Sequence, residues 1–172
     1  MREEADYHLE YVDENDIFNN FKYSVALANL GRVEEAYDHF DYMGDKISSD
    51  KFNKVIEPYL KKLEKKPDDI LLLNYAAFAA SINNQYQESV KYFNEILSIK
   101  PENIWIMNYK ALALLELKEY DRAEKLCNKT IKIKDNQFSH LILGMVYYKR
   151  GETLKALIQL GKSGDLAKRV IW

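Results

Sequence analysis

Two stretches decide the fold because they repeat one another: LLNYAAFAASINNQYQESVKYFNEILSIKP, residues 72–101, and IMNYKALALLELKEYDRAEKLCNKTIKIKD, residues 106–135. At an offset of 34 residues, Asn74-Tyr75 falls on Asn108-Tyr109, Ala77 on Ala111, Tyr86 on Tyr120, Ser89 on Ala123 and Pro101 on Asp135. A third copy follows at an offset of 33, marked by Gly144, Gly151, Ala156 and Leu160. An earlier copy is visible as Ser24, Gly31, Ala36 and Phe40.

The spacing has a physical meaning. Each copy holds two small residues twelve apart: Ser24 and Ala36, Ala77 and Ser89, Ala111 and Ala123, Gly144 and Ala156. Small side chains let two antiparallel helices approach closely, so these pairs mark helix crossings. Larger residues four further on, Phe40, Phe93, Cys127 and Leu160, share the face of the second small residue. Turn-like stretches separate the helices at Asn29-Leu30-Gly31, Asn83-Asn84, Leu117-Lys118 and Arg150-Gly151. Lys66-Pro67-Asp68-Asp69 and Lys100-Pro101-Glu102-Asn103 close one copy and open the next, because the residue before proline resists the helical conformation.

On these residues the chain resembles the tetratricopeptide repeat family, a 34-residue helix–turn–helix with a Leu-Gly…Tyr…Ala…Phe…Pro skeleton. Leu143-Gly144, Tyr147, Gly151 and Ala156 carry the likeness in the last unit, and Ala77, Tyr86, Phe93 and Pro101 in a middle one. The resemblance covers residues 70–163 firmly and 17–47 less closely. It implies an all-α fold, a right-handed α-solenoid of antiparallel helix pairs. The organisation expected is an acidic segment over 1–16, a degenerate unit over 17–50, an extra helix over 51–66, and units over 70–103, 104–136 and 137–172. The last ends in a short cap in which Leu166, Val170 and Ile171 cover the final pair. Residues 2–12 are expected to add an N-terminal helix. The stretch FNKVIEPYLKKLEKK is amphipathic, and Pro58 is expected to begin a helical turn or kink the helix. Two phasings compete for it: an orphan helix between units, or the second helix of a pair begun by residues 32–43. The turn-like Gly31-Arg32 followed by Val33-Glu34-Glu35-Ala36 favours the first.

Composition narrows the function. Of 172 residues, 47% are hydrophobic and 30% charged, which supports a packed core rather than a disordered chain. Lys+Arg is 25 against 27 Asp+Glu, so the basic surplus that nucleic acid would call for is missing. The single cysteine, Cys127, cannot form an internal disulfide and sits at a packing position. His8, His39 and His140 lack metal-ligand spacing and read as helix-surface or groove residues. A loose phosphate-loop pattern, Ala156, Gly161, Lys162 and Ser163, is set aside because its intervening residues are apolar and helical. The reading is of a protein with no cofactor, no metal and no catalytic residues. Its start lacks a basic, apolar leader and no run is long enough to span a bilayer, so a cytoplasmic location is expected.

In the family, the first helix of each pair lines the concave side of the array. The phase of the small residues places Leu71, Asn74, Tyr75 and Phe78 there, then Trp105, Asn108, Tyr109 and Leu112, then Phe138, Leu141, Ile142, Met145 and Tyr148. Phe18, Phe21, Lys22 and Val25 take these places in the first unit. This lining is rich in aromatics, which dominate interface hot spots. Asn74 and Asn108, one repeat apart, could together hydrogen-bond the backbone of an extended peptide, a mode the resemblance also implies. A packing role against one another or against the extra helix competes with it. The matching positions carry Phe78, Leu141 and Leu143 and lack the basic set of the family members that clamp acidic chaperone tails. The expected function is therefore a non-catalytic protein–protein interaction module holding a peptide or helix of a partner. An assembly factor or chaperone is its narrower form, and a self-associating structural protein or an enzyme's regulatory subunit the alternative. Residues 1–16 carry one basic and seven acidic side chains, and residues 149–172 six basic and two acidic. That asymmetry suggests a homo-oligomer built head to tail.

Overall fold

In the computed structural model, which describes residues 17–46 and 49–171, every regular element is a helix. The order is α1 (Ile17–Leu30), α2 (Val33–Lys46), α3 (Ser49–Lys65), α4 (Ile70–Ile82), α5 (Tyr86–Ile99), α6 (Ile104–Glu116), α7 (Tyr120–Ile133), α8 (Gln137–Lys149), α9 (Thr153–Lys162) and α10 (Asp165–Ile171). The acidic segment 1–16, with its expected helix and His8, lies outside the described residues, as does Trp172.

One closure recurs at the turns α1–α2, α4–α5, α6–α7 and α8–α9. Each turn has a single residue with positive φ: Gly31 (78°), Asn84 (58°), Lys118 (61°) and Gly151 (77°). The amide of that residue donates to the carbonyl three back, as in Lys118 to Leu115 at 2.9 Å. The next amide reaches five back: Arg32 to Leu27, Gln85 to Ala80, Glu119 to Leu114 and Glu152 to Tyr147, at 2.8–3.0 Å. These bonds serve carbonyls that a helix end leaves open, and they reverse the chain in two residues. The opposite ends are capped by side chains. Asp69 Oδ1 accepts from the amides of Leu71 and Leu72, Asn103 Oδ1 from those of Trp105 and Ile106, and Asn136 Oδ1 from that of Ser139.

The small residues lie where the helices cross. Ser24, Ala36, Ala77, Ser89, Ala111, Ala123, Gly144 and Ala156 are all buried. A Cβ added at Gly144 would stand 2.6 Å from Leu160 Cδ2 and 3.2 Å from the Leu160 amide nitrogen, so the crossing of α8 and α9 has room for glycine alone. Ser81 Oγ and Ser89 Oγ meet at 2.6 Å across the α4–α5 crossing.

The chain forms two compact units, one up to Ile96 and one from Leu97 onward. In the first, α1 packs on α2, and α3 packs on α1 and α4. Helix α3 runs unbroken through Pro58, correcting the expectation that a helical turn begins there. Pro58 and Lys54, whose carbonyl the proline leaves without a donor, are both exposed, so the interruption is turned to water. Phe52 and Ile56 anchor the buried face of α3. In the second unit α6 packs on α7 and α8 on α9, the pairs joined through α7–α8 and α6–α8, and α10 rests on α8 with Leu166 buried.

Candidate functional site

The residues expected to line a groove fall into two groups. In the first unit Tyr75 is 3% exposed and sits in an aromatic cluster, its ring 5.7 Å from Phe18, 5.8 Å from Phe21 and 5.9 Å from Tyr59. Phe18 stacks on Tyr59 at 3.9 Å, and Phe21 meets Phe52 edge-on at 5.3 Å. Tyr59 and Phe52 both come from α3. Phe78 is buried between Phe40, stacked at 5.4 Å, and Phe93, edge-on at 5.5 Å. Helix α3 thus covers Phe18, Phe21 and Tyr75, and these side chains act as core. Leu71 alone of the α4 set stays exposed.

The two asparagines are also core residues, which corrects the expectation that their amides await a peptide. Asn74 is buried; its Nδ2 donates to the carbonyl of Ile70 (2.7 Å) and its Oδ1 accepts from Asn29 Nδ2 (2.9 Å). Asn108 is fully buried at the centre of a polar knot. Its Oδ1 accepts from Ser139 Oγ (2.7 Å) and Thr130 Oγ1 (3.1 Å), and its Nδ2 donates to Asn136 Oδ1 (3.0 Å). Three helices and the α8 cap meet there, and leaving such groups unpaired costs more than the bonds themselves contribute.

The second unit keeps part of its lining at the surface. On α6, Trp105, Tyr109 and Leu112 recur at i, i+4 and i+7 and are half-buried. On the adjoining α8, Phe138, Leu141 and Ile142 are buried, Met145 is half-buried, and Tyr148 is 68% exposed. Tyr109 meets Phe138 edge-on at 5.1 Å, which joins the two helices. Trp105, Leu112, Met145 and Tyr148 therefore form the accessible remainder of the expected site.

Sequence reasoning missed three features. Lys110, Arg122, Lys125, Lys129 and Lys132 line a crevice of about 610 Å³ between α6 and α7, floored by Leu114 and Leu126. Burial, then the nearby Arg122 and Lys129 charges, lower the Lys110 pKa. Such a cluster attracts carboxylates; its only sequence signal was the recurrence of cations along one face of α7. Arg150 bonds to Glu124 (2.5 Å) and to Asp121, and Tyr147 Oη donates to Glu124 at 2.7 Å. The Tyr147 bond, and behind it Arg150, holds the Glu124 carboxyl below its usual range, while burial raises Tyr147 to about 12. His140, expected on a surface or groove, is buried, bonded to Gln159 and Asp135 at 2.7 Å each. Cys127 is fully buried, and that burial pushes its thiol far above the range in which a thiolate forms.

A tetratricopeptide repeat family model matches residues 80–142. No curated protein matches the chain. Among solved structures, MamA MSR-1 C2 superposes with a TM-score of 0.60 at 16% identity, over 89% of this chain and 97% of that one. MamA AMB-1 P212121 gives 0.60 at 17% identity, over 84% and 95%. MamA RS-1 ArsTM double mutant gives 0.56 at 16%, over 91% and 78%. At such identity the likeness shows the fold alone: an all-α, tetratricopeptide-like array of helix pairs. No helix among the described residues is long and apolar enough to cross a membrane.

Proposed function

We propose that this chain is a non-catalytic protein–protein interaction module that holds a peptide or helix of a partner protein on the second unit. The repeat match and the fold support an interaction module in general. The observation that carries the finer reading is the exposure of Trp105, Leu112, Met145 and Tyr148 on α6 and α8, against the covered equivalents in the first unit. Large amphipathic side chains at a surface give contact area at low entropic cost. The cationic crevice beside Lys110 adds a preference for a segment with acidic residues. An assembly factor or chaperone is the narrower form of this reading.

The test is selection of a random-peptide display library on the full chain, followed by affinity measurement with a Trp105→Ala/Met145→Ala/Tyr148→Ala variant. Enriched peptides should be rich in apolar and acidic residues, should shift Trp105 emission in a Trp172→Phe background, and should bind the variant at least tenfold more weakly. Equal affinity for a variant of unchanged melting temperature would refute the site.

A further inference from the structure

Helix α7 departs from its counterparts in one respect. Arg122, Lys125, Lys129 and Lys132 stand at i, i+3, i+7 and i+10, share one exposed face, and border the crevice together with the half-buried Lys110 of α6. The repeat itself supplies the control. On α5, 34 residues earlier, the same four positions are Glu88, Lys91, Glu95 and Ser98, and Glu88 pairs with Lys91 at 4.0 Å. Thirty-three residues later they are Lys155, Ile158, Lys162 and Asp165, and Lys155 is bonded to Glu152. On α7 only Arg122 has an acid, Glu119; Lys110, Lys125, Lys129 and Lys132 form no ion pair among the described residues. Like charges three and four apart weaken a helix, so the fold gains nothing from this face.

We infer that this face binds the acidic N-terminal segment, residues 3–13, of a second copy of this chain. The inference shares with the proposed function only the crevice, read there as selecting acidic segments, and does not use the surface around Trp105. Four acids of the segment, Glu3, Asp6, Glu10 and Asp13, stand at i, i+3, i+7 and i+10, the same intervals as the four cations. On a helix those intervals put a set on one face about 15 Å long, and they read the same in either direction. Each carboxylate therefore has a cation opposite it whether the segment runs parallel or antiparallel to α7. Leu9, at the edge of the acidic face, supplies an apolar side chain for the floor of Leu114 and Leu126. A carboxylate brought into the crevice also relieves the repulsion that Lys110 meets from Arg122 and Lys129. The basic C-terminal end competes poorly for the same segment, because its cations are already engaged. There Arg150 is bonded to Glu124 and Asp121, Lys155 to Glu152 and Lys168 to Asp165. The segment leads into the first unit and the crevice belongs to the second, so each copy offers one of each. Copies joined in this way add head to tail, without a two-fold axis.

Sedimentation velocity of the full chain from low micromolar to several hundred micromolar, at about 0.02 M and about 0.5 M salt, tests this. At low salt the average mass should climb with concentration, and at high salt it should fall back to that of the monomer. Lys125→Glu/Lys129→Glu and Glu10→Lys/Asp13→Lys should each remain monomeric at low salt with helical content unchanged. Mixed in equal amounts, the two should associate again, because each then meets a copy whose charges complement its own. The Trp105→Ala/Met145→Ala/Tyr148→Ala variant should associate like the wild type, so failure of the peptide site leaves this result standing. A monomer at every concentration, association indifferent to salt, undiminished association of both charge-reversed variants, or a mixture that stays monomeric would overturn the inference.

Discussion

In the first unit, Phe18, Phe21 and Tyr75 meet Tyr59 and Phe52 from α3, a helix that stands between two pairs. In the second unit no described helix takes that place, and Trp105, Leu112, Met145 and Tyr148 keep contact with solvent. The repeat supplies aromatic side chains to both; one additional 17-residue helix decides whether they become core or surface. The contrast teaches that a lining position in a repeat has no fixed role, and that its use depends on what the chain inserts between repeats.

The largest effect that would break the contrast is removal of the cover. Phe52→Ala deletes a side chain 2% exposed and should cost about 3–5 kcal/mol, whereas Tyr148→Ala should leave the denaturant midpoint almost unmoved. Equal loss for both, measured by urea unfolding, would show that α3 does not hold the first unit. The polar knot comes next. Asn108→Ala removes the acceptor shared by the Ser139 and Thr130 hydroxyls, which keep Asn136 Oδ1 and the Cys127 carbonyl, and should cost about 1–2 kcal/mol. Asn74→Ala, whose principal partner Asn29 lies nearer solvent, should cost less, and the reverse order would invert the comparison. A smaller gain is expected at Lys118, whose left-handed backbone Gly31 and Gly151 adopt without strain. Lys118→Gly should stabilise by about 0.5–1 kcal/mol, read as a rise in melting temperature.

The smallest effect is on pH. Burial holds the His39 pKa below its ordinary 6.5 despite the carboxylates of Asp38 and Glu35. A depressed folded pKa means that the unfolded chain takes up the proton first. Stability is complete above about pH 6.5 and declines as pH falls from there through the folded pKa. His39→Gln should flatten that decline in urea titrations between pH 7 and 5, and an unchanged slope would remove His39 as its source.

The helix pairs, their crossings and their turns were legible because each depends on residues within one copy: two small residues twelve apart and a turn at a fixed place. Lys118 was not foreseeable as a left-handed residue from its identity, since the turn is imposed by the bonds to Leu115 and Leu114. The asparagines misled for a related reason. An Asn at a first-helix position offers the same donor and acceptor to a ligand as to the interior. The clue lay elsewhere, in Thr130, Ser139 and Asn136, whose hydroxyls and amide needed a buried counterpart. His140 was misread likewise, because its partner Gln159 lies 19 residues on and its other partner, Asp135, stands before the start of α8.

Arrays of stacked hairpins ordinarily fray from their ends, since each layer touches only its neighbours. The Asn108 knot opposes that habit. Its hydroxyls and carboxamides bond one another across α6, α7 and α8, so peeling away any one of these helices breaks its bonds to both of the others. The second unit should consequently lose its protected amides in a single sharp step during native-state hydrogen exchange, without shedding its layers in turn.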